Sequence, residues 1–392
     1  MIVVTGATGQ LGHLVIAALL KKVPASNIVA AVRNLEKARD IAALGVQVRY
    51  ADYNLPSTWD DALRGADRVL LISSSEIGQR AIQHRSVIDG ANRARVNLLA
   101  YTSILHADTS PLGLAAEHRE TEAILRASGV PFVLLRHGWY TENYTSGVRG
   151  ALARGAVFGC AGDGRISSAT RADYAEADVA VLTAEGQAGR THELAGDTSY
   201  TLTEFAAEIS RQSGKNIRYM NLSEAEYKHV LLKAGLPLAV AALLADSDTG
   251  ASKGGLFDDG HQLSMLIGRP TTPLAKSVAA VPGLTAGNDD SKIEPSKSEN
   301  KAVAGKEYQA PIQVRNKPEM VKEVSAVEEH RAPAQVRNEP EMVNEVSASH
   351  DRILVRLTAG RKAWLEIPTP FYAADKARLK AQIDLLLAED EE

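Results

Sequence analysis

Residues 1–12 read Met1-Ile-Val-Val-Thr-Gly-Ala-Thr-Gly-Gln-Leu-Gly12. Ile2 to Val4 is a short apolar run of strand character, and it leads directly into Gly6, Gly9 and Gly12. An amphipathic stretch follows, with Leu11, Val15, Ile16, Leu19 and Leu20 apolar. A strand, a glycine turn and a helix in that order form a phosphate cradle. Gly6 permits the tight turn, Gly9 lets the backbone approach a pyrophosphate, and Gly12 lets the helix pack closely on the sheet. The free N–H groups and partial positive charge of the helix N-terminus then face the anion. A glycine triplet in isolation is a weak signal, but this one lies between a strand and a helix, which points to a dinucleotide.

Outward from that turn, strands are predicted at Asn27 to Val32, Val46 to Tyr50, Arg68 to Ser73, Asn97 to Ser103 and Phe132 to Arg136. Helical patterns at Leu35 to Leu44, Pro56 to Leu63, Gly78 to Arg95 and Ala115 to Ala127 separate them. This alternation predicts an α/β fold, a doubly wound parallel Rossmann sheet with right-handed crossovers. Ligands of such sheets bind beyond the carboxyl ends of the strands, where the topology switches. After Gly138 the pattern is more helical, with glycine-rich loops at Gly159 to Gly164 and Gly250 to Gly255. It is read as a small C-terminal substrate lobe, formed mainly by 138–165 and 215–285 and interleaved with late core elements such as Thr191 to Leu194. One NAD(P)-binding domain is therefore expected over 1–285.

The composition changes at that point. Residues 286–350 are dominated by Lys, Glu, Asn, Ser, Pro and Ala, with Tyr308 their one aromatic, and such a segment cannot bury a core. A disordered linker is expected there, carrying a repeat: Ala310 to Ala326 recurs nearly intact from Ala332 to Ala348. Residues 351–392 read as a small hairpin-helix module, ββα-like, with strands at Arg352 to Leu357 and Lys362 to Ile367 and a helix opening at Thr369-Pro370. A module this small is marginal alone, so docking on an unknown protein or dimerisation is expected.

With 392 residues, 45% hydrophobic and 23% charged, the chain has an ordinary globular composition. A net charge of -4 gives no reason to expect a nucleic-acid or acidic-membrane partner. The single cysteine, Cys160, can form neither an internal disulfide nor a cysteine metal cage, and no His/Cys/Asp cluster has metal-ligand spacing, so no metal is expected. No stretch is apolar enough to span a bilayer, and the first strand leaves no room for a signal peptide. The expected location is cytoplasmic.

Arg33 follows the second strand, where an Asp or Glu would bond the adenosine ribose of NAD. An arginine there suits a 2′-phosphate through a charge-assisted bidentate contact, so NADP(H) is expected. Ser73, Ser74 and Ser75 close the fourth strand, where small hydroxyls let the nicotinamide ribose approach. The proton donor usual in short-chain dehydrogenases, a Tyr followed four residues later by Lys, has one match, Tyr372 and Lys376, in the remote tail. Tyr101 is followed by Leu105 and Tyr140 by Tyr144, so catalytic residues are unknown from sequence. That absence points to an acceptor needing no strongly positioned acid, or to a protein that binds without turnover.

Taken together, Gly6 to Gly12, Val32-Arg33-Asn34, Ser73 to Glu76, Tyr101 to Leu114, His137 to Tyr140, Ser168 to Tyr174 and Asp246 to Phe257 resemble the NmrA-like atypical short-chain dehydrogenases. Within them the likeness is to the bacterial NADPH-dependent quinone oxidoreductases of the second type. The resemblance covers roughly residues 1–285 and implies a Rossmann domain, NADPH in the cleft and hydride transfer to quinones. It further implies that Gly6, Ala7, Thr8, Gly9, Gln10 and Leu11 hold the pyrophosphate. His137, Gly138, Trp139, Tyr140, Thr141 and Glu142 would lie near the nicotinamide, and Ser168, Ala169, Thr170, Arg171, Ala172 and Asp173 would complete the pocket. His137 departs from the family pattern, where Asn is expected. Trp139, Tyr140 and Phe257 are candidate walls for a quinone, or ordinary core residues. Asn143 could bond a quinone oxygen, or cap the next helix. A possible homodimer belongs to the same set of expectations, as does the rival role of an NADP(H)-sensing regulator, which NmrA-like relatives include.

Overall fold

The computed structural model describes residues 1–284 and, beyond them, the backbone of two strands at 350–356 and 362–368. Seven strands form one parallel sheet: β1 (Ile2–Thr5), β2 (Ile28–Val32), β3 (Gln47–Tyr50), β4 (Arg68–Leu71), β5 (Leu98–Ile104), β6 (Phe132–His137) and β8 (Thr191–Leu194). Their order is β3-β2-β1-β4-β5-β6-β8, so the direction of winding reverses between β1 and β4. That gap is the topological switch point, and the glycine loop opens into it.

Period-2 alternation sends successive strand residues to opposite faces. On one face Val4, Ala30, Leu70 and Ala100 pack against α1 (Gln10–Leu19) and, further along the chain, against the helix Arg171–Thr183. On the other, Val3, Val29, Val69 and Tyr101 pack beneath three helices. These are α3 (Thr58–Ala62), α4 (Arg80–Ala94) and α5 (Ala115–Ser128), following the short α2 (Arg39–Ala43). Each fully buried Val, Leu or Ile contributes roughly 1.5–3 kcal/mol, which is why both faces read as near-continuous apolar runs.

Strand boundaries shift where side chains replace the ladder. β4 stops at Leu71, because the Ile72 N–H donates to Thr5 Oγ1 at 3.0 Å and the Ser73 N–H to Thr102 Oγ1 at 2.9 Å. β6 runs one residue further than expected, since His137 still pairs with Ile104 and Leu194.

The lobe follows β6 with α6 (Thr141–Thr145), α7 (Val148–Arg154) and β7 (Ala156–Gly159), before α8 (Arg171–Thr183) returns to the main sheet. After β8 come α9 (Leu202–Ser213), β9 (Arg218–Asn221), α10 (Glu224–Lys233), α11 (Leu238–Ser252), α12 (Gln262–Ile267) and α13 (Leu274–Ala279). β7 and β9 form a separate parallel pair. The structure corrects the expected lobe limits of 138–165 and 215–285 in two places. Leu202, Phe205 and Ile209 of α9 lie in the lobe's core, while Leu263 of α12 lies in the main sheet's core. Burial partners, rather than chain order, decide which layer a helix joins.

The chain divides into two units, Met1–Ser296 and Lys297–Glu392. In the second, β10 (His350–Arg356) and β11 (Lys362–Pro368) pair antiparallel, and the turn expected between them lies outside the described residues. The repeat over 310–348 and the helix expected from Thr369 lie outside the described residues. No described helix is long and apolar enough to cross a membrane.

Candidate functional site

Gly6 turns the chain with φ at +57°, a left-handed conformation costly for any residue bearing a Cβ. The Gly9 N–H then donates to Gly6 O at 2.9 Å, and Gly9 begins α1 without a side-chain cap. The first N–H groups of the helix are therefore left for an anion. At Gly12 a Cβ would lie 2.5 Å from Gly6 O and 2.7 Å from Ala7 Cα, so the loop folds directly onto the helix backbone. Ala7 and Leu11 are buried beneath it, Thr8 is half-buried, and Gly9 and Gln10 face outward. Tyr53, which sequence reading passed over, braces this loop. Its hydroxyl lies 2.7 Å from Thr5 Oγ1 and donates to Ile72 O at 2.7 Å. One phenol thus joins the carboxyl ends of β1 and β4 from the residues just after β3.

Arg33 follows β2 and is 64% exposed, with Nη1 3.4 Å from Glu76 Oε1. Glu76 also accepts from Gln83 Nε2 at 2.7 Å. The two charges meet from the end of β2 and the loop after β4, across the switch point. Among the three serines, Ser74 is spent within the protein. Its N–H donates to His84 Nε2 at 2.9 Å, its hydroxyl accepts from the Glu76 N–H at 3.1 Å, and its carbonyl accepts from Arg80. Ser73 and Ser75 remain accessible to a ribose. Because His84 accepts at Nε2, its proton sits on Nδ1, beside Thr121 Oγ1 at 2.9 Å. Burial, aided by the Arg80 charge, holds that imidazole down to a pKa of about 3, so it supports the loop as a neutral ring.

The two segments that the family resemblance groups together do run side by side. Tyr140 pairs with Ala169, the Thr141 N–H donates to Ala169 O at 2.9 Å, and the Ala169 N–H donates to Trp139 O at 3.2 Å. A Cβ on Gly138 would stand 3.0 Å from Tyr174 Oη, so the strand end passes tightly over α8. Thr141, Ser168 and Tyr200 share a hydroxyl chain with steps of 2.8 and 2.7 Å. Glu142 accepts from the Arg171 N–H at 2.9 Å, and the Arg171 guanidinium lies 4.4 Å over the Tyr140 ring. His137 is buried, with Nε2 2.8 Å from Asp178 Oδ1 and its ring stacked 4.6 Å from that of Tyr174.

Several expected roles are redrawn by these contacts. Asn143 caps no helix: α6 begins after Tyr140 without a side-chain cap, and Asn143 Oδ1 accepts from Arg171 Nη2 at 3.0 Å. Asp173 is fully buried between Thr170, Thr272 and Arg269, which makes its carboxylate a structural tie at the start of α8. Thr170 caps that helix through the Asp173 N–H, while Ala172 stands exposed. Trp139 packs on the lobe core and Tyr140 against the main-sheet core, whereas Phe257 keeps 37% of its surface exposed.

The motif over 246–257 docks the lobe on the segment after β5. Cβ atoms on Gly250 and Gly255 would meet Leu112 Cδ1 at 2.7 and 2.5 Å, and the Gly113 N–H donates to Asp246 Oδ2 at 2.8 Å. Beside this seam, Asp248 is buried without a cationic partner. It accepts from the Cys160 N–H at 3.0 Å and the Tyr144 hydroxyl at 3.2 Å. Burial raises its pKa to about 6, against those two hydrogen bonds. The folded state therefore holds this proton more tightly than the unfolded chain, and stability should fall as pH rises from about 4 to about 6. Asp248→Asn should gain on the parent across that window, by up to about 3 kcal/mol at neutral pH. Urea midpoints of both proteins over the same pH range measure the difference; a gap that does not vary with pH rules it out.

An NAD(P)H-binding family model matches residues 6–185. Quinone oxidoreductase 2 of Escherichia coli is 58% identical over 279 residues, 71% of this chain and 98% of that protein. The crystal structure of that NADPH-dependent enzyme complexed with NADPH covers 71% of this chain and 99% of its own, with a TM-score of 0.70. Triphenylmethane reductase of Citrobacter sp., complexed with NADP(H), is 39% identical with a TM-score of 0.70, covering 72% of this chain and 100% of that one. An NmrA-like family domain-containing oxidoreductase of Aspergillus flavus is 26% identical over 231 residues, 57% of this chain and 75% of that protein. With 58% identity over 98% of the Escherichia coli enzyme and the same fold, the chain belongs to the NmrA-like family of NAD(P)H-binding oxidoreductases, in the group of quinone oxidoreductase 2.

Proposed function

We propose that the protein is an NADPH-dependent quinone oxidoreductase that passes a hydride directly from nicotinamide to quinone, without flavin or metal. The observation that carries this reading is the glycine cradle at the switch point, with Arg33 standing free enough beside it to take a 2′-phosphate. A dinucleotide fits these residues: among the described residues no side chain lies within 4 Å of a Cβ at Gly9, and α1 begins without a side-chain cap on its first N–H groups. Residues 6–11 would hold the pyrophosphate, Arg33 the 2′-phosphate, and Ser73 with Ser75 the ribose. Residues 137–142 would border the nicotinamide, with Arg171 fixing the Tyr140 ring and Asn143. When bound, NADPH supplies the hydride, and the protein's part is to align the quinone and exclude water. The quinone assignment draws its support from the likeness to the Escherichia coli enzyme.

Steady-state oxidation of NADPH with a benzoquinone tests the reading. Tight NADPH binding with no turnover across a quinone panel would replace it with a sensor. Arg33→Asp should raise KM for NADPH roughly 100-fold, since it removes a contact of about 3 kcal/mol to an anion and adds a second carboxylate facing Glu76. KM for NADH should move by less than about threefold. Equal changes for both nucleotides would refute the phosphate assignment.

A further inference from the structure

The proton donor absent from the sequence pattern has a counterpart in the tertiary structure. Asp178 of α8 is fully buried, and its hydrogen bond, 2.8 Å from Oδ1, goes to His137 Nε2. Asp178 Oδ2 is buried with no partner among the described residues. A carboxylate in that position is tolerated where a neighbour shares a proton with it, and His137 is the group in reach. The other imidazole nitrogen, Nδ1, lies 3.4 Å from the Tyr140 hydroxyl. Tyr174 holds the imidazole by stacking, and Arg171 holds the phenol from above its face. Tyr140 is half-buried, whereas His137 and Asp178 are closed off, so the chain runs from the protein interior toward the 137–142 wall.

We infer that Asp178, His137 and Tyr140 form a proton relay that delivers the proton completing quinone reduction, with Tyr140 as the catalytic donor and the other two as positioning residues. The inference rests on the quinone reductase reading. Hydride arrival leaves the quinone oxygen with one negative charge and in need of one proton. With a proton on each nitrogen, His137 donates Nε2–H to Asp178 and Nδ1–H to the phenol oxygen. The Tyr140 O–H bond breaks as its proton moves to the quinone oxygen, and the phenol oxygen takes the Nδ1 proton in the same step. His137 is left neutral and, once the product leaves, regains its proton from solvent back through the Tyr140 hydroxyl, so the sum is one hydride and one proton per quinone. The burial that raises the Tyr140 phenol's pKa keeps it protonated and able to donate. The 3.4 Å step is long for such a bond, and catalytic hydrogen bonds commonly shorten when substrate binds.

The test is kcat across benzoquinones whose hydroquinones range from strong to weak acids, in the full-length protein. An internal donor makes kcat nearly independent of that acidity. Tyr140→Phe should lower kcat about 100-fold for quinones forming weakly acidic hydroquinones and less than about threefold for electron-poor ones. Its NADPH dissociation constant by calorimetry should rise far less than kcat falls, by under about tenfold. Asp178→Asn and His137→Asn should each show the same dependence on acidity with a smaller loss, and His137→Asn stands in should Asp178→Asn fail to fold. A uniform loss across the series, or none, overturns the relay while leaving the reductase reading intact. Wild-type protein that oxidises no NADPH with any quinone overturns the reductase reading itself, and the relay with it.

Discussion

Gly12→Val is expected to weaken NADPH binding by at least about 100-fold while leaving the protein folded. A Cβ at this position would stand 2.5 Å from Gly6 O and 2.7 Å from Ala7 Cα, both backbone atoms that no rotamer change can move aside. The loop must lift from the helix, and the N–H groups that would line a pyrophosphate move with it. Overpacking of this kind costs about 1–3 kcal/mol of stability, small enough for a domain of this size to survive. Lifting the cradle removes several anion contacts at once, each of roughly 1.5–3 kcal/mol, so affinity should suffer far more than stability. Gly9→Ala supplies a graded comparison, because its Cβ would approach Gly6 O to only 3.1 Å. Its loss should be intermediate. Calorimetric titration with NADPH, alongside a melting curve, separates binding from folding. Affinity of Gly12→Val within threefold of the parent would mean that the cradle does not hold the cofactor.

The largest effect on stability is expected at Arg136. This side chain is 6% exposed and joins β6 to three carboxylates. It contacts Glu122 at 2.9 and 2.7 Å, Glu193 at 2.9 Å and Asp108 at 2.8 Å. Burial alone would lower its pKa, but those hydrogen bonds raise it above the ordinary arginine value. Arg136→Met keeps the volume and leaves Glu122, fully buried, with Ser103 and the half-exposed Arg126 as its partners. Breaking a buried ion pair by removing one partner costs about 3–5 kcal/mol. At roughly 2–4 °C per kcal/mol, the melting temperature should fall by about 6–20 °C. Adding Glu122→Gln should recover much of that loss, since the double variant no longer buries a carboxylate that has lost its main partner. A fall below about 2 °C in the single variant, or no recovery in the double, would show that the network is not what holds β6 to α5.

How much of this was legible beforehand depended on the range over which each signal acts. The alternating strands and helices could be read because period 2 and period 3.6 are local consequences of burial. Thr191 to Leu194, an isolated fragment in the sequence, proved to be the edge strand beside β6. Two lobe helices also carried local signals, the capping boxes Thr201 to Glu204 and Ser223 to Glu226. By contrast, nothing near Tyr53 announces that its hydroxyl ties β1 to β4, and nothing near Asp178 announces His137, 41 residues away. Ser74 reads as a ribose contact because it follows a strand, yet His84 and Arg80, brought up by α4, consume its backbone groups.

The shared wall of the 137–142 and 168–173 segments was implied by the family resemblance, whereas the sequence by itself determined a glycine turn fixed to the first strand and an arginine placed after the second. Those features follow from backbone sterics and from charge at a helix end, which act within a few residues. Only the tertiary structure decided which polar groups stay free for a ligand and which are spent on the protein. That outcome depends on where α4, α5 and α8 deliver their side chains, because a buried polar group must find its partner across the fold rather than along the chain.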